Sequence, residues 1–142
     1  MQGHGRTLAE LHRRLHAIPA PDGIPSHLGR GERLVHFDLH PDNVLLTARG
    51  PVVIDWSNAA RGDQADDVAL TWVIVATSRV PGPLPFRVLG SAERDLLVKA
   101  FLSGVDVEAA RERVPEVARR RLETDPHLLA PERRALEKLA LR

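Results

Sequence analysis

The chain has 142 residues, with 20 Lys and Arg against 19 Asp and Glu, and no cysteine. That length predicts one domain burying about 70% of its unfolded surface, so a core needs no covalent staple. The lack of cysteine excludes a disulfide framework, a thiolate metal site and a thiol nucleophile, and a net charge of +1 gives neither nucleic acid nor a membrane an electrostatic reason to bind.

Thr7-Leu8-Ala9-Glu10 has the spacing of a capping box. It predicts a helix start, with Leu8, Leu11, Leu15 and Ile18 on one face and Pro19 and Pro21 as the stop. Ala20 to Arg33 is rich in Pro, Gly and polar residues and reads as a loop. Leu34 to His36 is extended, and Val44 to Leu46 and Val52 to Ile54 read as strands joined by the turn Thr47-Ala48-Arg49-Gly50. Pairing across that turn sets Asn43 opposite Ile54 and Asp55, at one end of the hairpin.

The rest reads as helical. Asp66 or Asp67 is the expected cap of a helix to about Ser78, and Pro81 to Pro85 a rigid linker. Ser91 is the expected cap of a helix to Ser103, with Gly104 at its C-terminal end. Shorter helices are expected over Val107 to Arg113, Pro115 to Leu122 and Pro131 to Leu141. Arg119-Arg120-Arg121 reads as a solvated face with ion pairs. The longest apolar-rich run, Val68 to Ala76, is too short to span a bilayer, and the first residues carry no apolar signal core, so a cytoplasmic location is expected. The fold class is α+β, mainly α, with a β-hairpin set among helices.

Polar chemistry concentrates between His36 and Asp67. A loop carboxylate such as Asp38 accepts or orients a hydroxyl proton. The oxygen ligands Asn43 and Asp55 suit Mg²⁺, a hard ion. Together they are the minimal equipment of phosphoryl transfer. The alternation His36-x-Asp38-x-His40 also fits a metal hydrolase strand, but such a site needs further downstream ligands, and His127 stands there alone.

His36-x-Asp38-x-x-x-x-Asn43 followed by Ile54-Asp55-Trp56 resembles the catalytic and metal-binding loops of the protein-kinase-like fold, and more narrowly the aminoglycoside phosphotransferase and choline kinase superfamily. The helix from Leu8 to His12 with Ile18-Pro19-Ala20-Pro21 is similar to that family's helix before the catalytic loop, and Gly62-Asp63-Gln64-Ala65-Asp66-Asp67-Val68-Ala69 to its Gly-Asp-Pro-x-x-Asp-Leu-Ala segment. Phe37 and Asp42 stand where the family usually has glycines. The resemblance implies Asp38 as catalytic base or hydroxyl-orienting group and Asn43 and Asp55 as Mg²⁺ ligands. By the same resemblance His36 braces the loop, His40 lines the substrate side and Asp67 ties its helix to the loop. It further implies ATP or GTP as phosphoryl donor and a small-molecule hydroxyl as acceptor, chosen by the helices from Ser91 to Leu141, where Glu93, Asp95, Glu108 and Glu112 are the available acidic residues.

The same family carries an N-terminal lobe with a phosphate-covering loop and a lysine. Gly3-x-Gly5 is too short for that loop, and the only lysines, Lys99 and Lys138, fall in C-terminal helices. The expectation is a single C-terminal lobe over residues 1–142, in which residues 1–78 bear the site and residues 79–142 form a helical subdomain, with the nucleotide lobe absent and the isolated chain not competent. The alternative is a non-catalytic, ligand-binding or metal-binding module that self-associates through the open face.

Overall fold

Leu8, Leu11 and Leu15 form a buried stripe along α1 (Gln2–His16) in a computed structural model that describes residues 2–78 and 90–142. The expected linker at 81–85 lies outside the described residues. α1 begins well before the expected capping box. Thr7 sits inside it, its hydroxyl donating to the carbonyl of Gly3 four residues back, and Glu10 pairs with Arg13. The reason is tertiary. A β-carbon on Gly5 would stand 2.6 Å from the Leu97 carbonyl oxygen and 2.7 Å from Ala100 Cβ, so a glycine that weakens an isolated helix lets two helices touch. The helix ends at His16, ahead of Pro19, and Ile18 lies beyond it, half-exposed.

Two small antiparallel sheets follow. β1 (Arg33–Val35) pairs with β4 (Ala60–Gly62), and β2 (Val44–Thr47) with β3 (Gly50–Val53) in the register Val44 to Val53. The second pairing is the expected hairpin, with Gly50 at φ +110° in its turn. Between β1 and β2, Pro41–Asn43 forms one 3₁₀ turn. β4 was not expected, because Ala-Arg-Gly has no strand propensity and is extended only by its partner.

α2 (Gln64–Thr77) is apolar on nearly every side, as a helix at the centre of a core must be. Its cap is Asp63, whose carboxylate accepts from Ala65 N at 2.8 Å, and not Asp66 or Asp67, which are fully buried in the first turn. α3 (Ser91–Leu102) starts after Gly90 as cap in place of Ser91. Gly104 follows it without a positive φ, and its role is contact: a β-carbon there would meet Ala9 Cβ at 2.7 Å.

α4 (Val107–Thr124) is one helix through Pro115, where two were expected. Its buried stripe Ala110, Val114, Val117 and Ala118 continues across the proline, and that burial outweighs one lost backbone hydrogen bond. α5 (Ala130–Ala140) opens with Pro131 in its first turn and a Leu129 N to Glu132 carboxylate bond. The five helices share one apolar core that includes Leu8, Leu39, Val73, Phe101, Val117 and Leu136. The architecture is α+β and mainly α. No helix among the described residues is long and apolar enough to cross a membrane.

Candidate active site

The loop between β1 and β2 carries four of the six expected site residues, and α2 holds it in place. Asp67 is completely buried one turn into α2. Its Oδ2 accepts from His36 N at 3.1 Å and from His16 Nε2 at 2.8 Å, and its Oδ1 accepts from Phe37 N at 3.0 Å. Burial alone would raise this carboxyl. The His16 bond, the neighbouring His12 and His16 charges and the His36 amide outweigh it and hold Asp67 at about 2. One carboxylate therefore fixes two consecutive amides of the loop and one side chain of α1.

Phe37 takes φ 60° at this point, the left-handed region that costs a residue with a β-carbon about 1–2 kcal/mol. The conformation usual for glycine is thus kept by a phenylalanine. Two features hold it there: the Asp67 bond to its amide, and burial of its ring with Val35, Ala60 and Leu28.

His36 is fully buried and braces the loop through both ring nitrogens. Its Nδ1 accepts from Asp38 N at 3.1 Å, so the proton sits on Nε2, which donates to Ile54 O at 3.0 Å. This ties the Asp38 loop to the end of β3. Trp56 leans against the same imidazole at 4.8 Å between ring centroids and donates from Nε1 to Val53 O.

Asp38 itself is half-buried. Asn43 Nδ2 donates to its carbonyl at 2.8 Å and its Oδ2 at 3.1 Å, and His40 Nε2 lies 3.3 Å from its Oδ1. Burial works to raise the Asp38 carboxyl, but the bonds and charge of His40 and the Asn43 bond keep it below the usual value of 3.8. Asp38 is therefore an anion at neutral pH, with its position set by two neighbours.

Asn43 spends its NH₂ group on Asp38, which leaves its Oδ1 without a hydrogen bond among the described residues. Its carbonyl accepts from Ile54 N at 2.9 Å, placing Asp55 one residue beyond the paired position. Asp55 is exposed at φ 57°, and its Oδ1 accepts from Ser57 Oγ at 2.7 Å. Two uncommitted oxygens thus stand at one end of the hairpin. They fit Mg²⁺, which keeps several waters and is shared with substrate phosphates rather than caged by protein alone. Among the described residues no cluster of three or more His, Cys, Asp or Glu could hold a metal by itself.

Two supports were missed in the sequence. His12, buried in α1, lies with Nε2 2.9 Å from Thr71 Oγ1, and that hydroxyl donates to Leu39 O at 2.9 Å, so α2 holds the loop a second time. Arg30 reaches the buried Asp66 with two nitrogens at 2.8 and 2.5 Å and Glu116 with two more bonds, pinning the 20–32 loop to α2 and α4. The signals were present as spacing: His12 and His16 on one face of α1, Asp67 and Thr71 on one face of α2.

A model of the family described as "Phosphotransferase enzyme family" matches residues 24–117. Thiamine kinases of Salmonella paratyphi B, Salmonella newport and Salmonella heidelberg are each 46% identical to this chain over 39 residues, a stretch covering 28% of this chain and 14% of each relative. No solved structure matches the chain.

Proposed function

The chain belongs to the phosphotransferase enzyme family, and from that premise we propose that it is the catalytic-loop portion of an enzyme moving the γ-phosphoryl of ATP or GTP to a hydroxyl of a small molecule. The observation that carries the reading is the Asp38 cluster: a carboxylate positioned by Asn43 and His40 on a loop clamped by Asp67, with Asp55 at the adjoining hairpin end.

In the proposed reaction Asp38 accepts a hydrogen bond from the acceptor hydroxyl and aims its oxygen at the γ-phosphorus. The new P–O bond forms as the bond to the β-phosphate oxygen breaks, and the hydroxyl proton passes to Asp38. Because its pKa is held low, Asp38 chiefly orients the hydroxyl and takes the proton late, as suits a loose phosphoryl-transfer transition state. Asn43 and Asp55 would hold Mg²⁺, which when bound neutralises charge on the phosphates. Leu45 and Val52, paired across the hairpin, are exposed on one of its faces, and we assign that apolar face to contact with the nucleotide-covering region of the enzyme.

The test is phosphoryl transfer by the whole protein. Asp38→Ala should lower kcat by roughly 10²–10⁴-fold with little change in nucleotide affinity. Undiminished transfer after Asp38→Ala and Asp55→Ala would refute the assignment. On the chain itself, Mn²⁺ should broaden the amide signals of Asn43 and Asp55, and Asp55→Ala should remove the effect.

A further inference from the structure

A cavity of about 290 Å³ opens beside Asp38, between the catalytic loop and the end of α4. Its loop side is His27, Phe37 and Asp38, and its α4 side presents Arg120, Arg121 and Asp125. The expected solvated arginine face is therefore divided. Arg119 is exposed and donates to the Ala140 carbonyl at 2.8 Å, whereas Arg120 and Arg121 are half-buried and line the cavity.

Of these two cations, one is ion-paired and, among the described residues, the other is not. Arg121 Nη2 lies 3.2 Å from Asp125 Oδ2, but its Nε is buried without a hydrogen-bond partner. Arg120 has no ion pair among the described residues, and Thr124 Oγ1 meets only its backbone carbonyl. Asp38 is shared with Asn43 and His40, and Asp125 with Arg121. Glu93, Asp95, Glu108 and Glu112, the acidic residues available to attract a polycation, are exposed and none lines this cavity. What the α4 side lacks is an acceptor for Arg120. A planar guanidinium without an ion pair, that of Arg120, matches the geometry of a carboxylate or phosphate and repels an ammonium.

We propose that this cavity is the acceptor subsite and that the acceptor is a small hydroxy compound bearing an oxyanion, which Arg120 and Arg121 bind while Asp38 orients the hydroxyl. The inference rests on the reading of Asp38 as the hydroxyl-orienting group. Asp125 tunes the subsite by occupying one side of Arg121.

The experiment titrates the ¹⁵N-labelled chain with glycerate, glycerol 3-phosphate, glycerol and choline, following the side-chain Nε–H signals of Arg120 and Arg121. Either oxyanion should move both signals in a saturable way, and the better of the two identifies carboxylate or phosphate as the group read. Glycerol should bind roughly tenfold or more weakly and choline not at all. Arg120→Gln should weaken oxyanion binding by roughly tenfold, and Asp125→Asn, which frees Arg121, should strengthen it several-fold. A merely structural Asp125 would give no gain. Choline binding in the cavity, oxyanions binding no better than glycerol, or oxyanion affinity indifferent to Arg120→Gln would each overturn the proposal. Mn²⁺ broadening at Asn43 and Asp55 is read in the same samples. Its absence counts against the phosphotransferase reading and leaves the oxyanion result to stand or fall on its own.

Discussion

Asp67→Asn is the sharpest perturbation of this site, because it changes one atom of a fully buried side chain that accepts three hydrogen bonds. The amide keeps at most two of them, with its oxygen facing His36 N and His16 Nε2. Its NH₂ then faces the Phe37 amide, donor against donor. One lost charge-assisted bond and two unmet buried donors put the cost at about 4 kcal/mol. The pH dependence supplies an independent check. Asp67 titrates at about 2 when folded, against a usual 3.8. Its charge therefore contributes about 2 kcal/mol, fully present above about pH 4 and lost as pH falls through 2. Urea denaturation of both proteins at several pH values should show a gap of about 4 kcal/mol at neutral pH that narrows to about 2 near pH 2. The Phe37 amide should also lose its protection from hydrogen exchange. A gap below about 1 kcal/mol at neutral pH, or one that does not change in acid, would show that Asp67 does not clamp the loop.

Gly5→Ala should destabilise by about 1–3 kcal/mol in the same assay, because the helix pair has no room for a methyl, whereas Gly3→Ala, with nothing within 4 Å, should stabilise by up to about 1 kcal/mol. Arg30→Ala should cost about 3 kcal/mol by stranding the buried Asp66 carboxylate, with Arg113 3.9 Å away as its remaining cation, and adding Asp66→Asn should recover much of that loss. Phe37→Gly removes about 1–2 kcal/mol of backbone strain but about 3–5 kcal/mol of buried ring, so thermal unfolding should show a net loss of about 2 kcal/mol.

The hairpin and the residues at its end were legible because they obey local rules: alternating apolar runs, a glycine turn, and a register that sets Asn43 against Ile54. What was illegible depends on partners far along the chain. The choice among Asp63, Asp66 and Asp67 as the α2 cap is decided by Arg30 and by the amides of His36 and Phe37, which claim two of the three aspartates. The start of α1 is decided by its contact with α3, which makes Gly5 an asset where propensity counts it a cost. Pro115 reads as a break until the buried stripe on both sides of it is seen. Arg120 and Arg121 look like surface charge in a basic run, and only the fold turns them towards Asp38.

Two residues with β-carbons, Phe37 and Asp55, hold positive φ angles on either side of the hairpin. A chain free to relax would leave both conformations. Here the first is pinned from α2, and the second adjoins a β3 end tied back to His36. The loops that carry Asp38 and Asp55 are thus ordered before any ligand arrives, and the loss of loop entropy that usually weakens binding has already been met during folding. On the proposed phosphotransferase reading, affinity for metal and phosphates should then respond steeply to substitutions that loosen the loops, even where no ligand atom is touched.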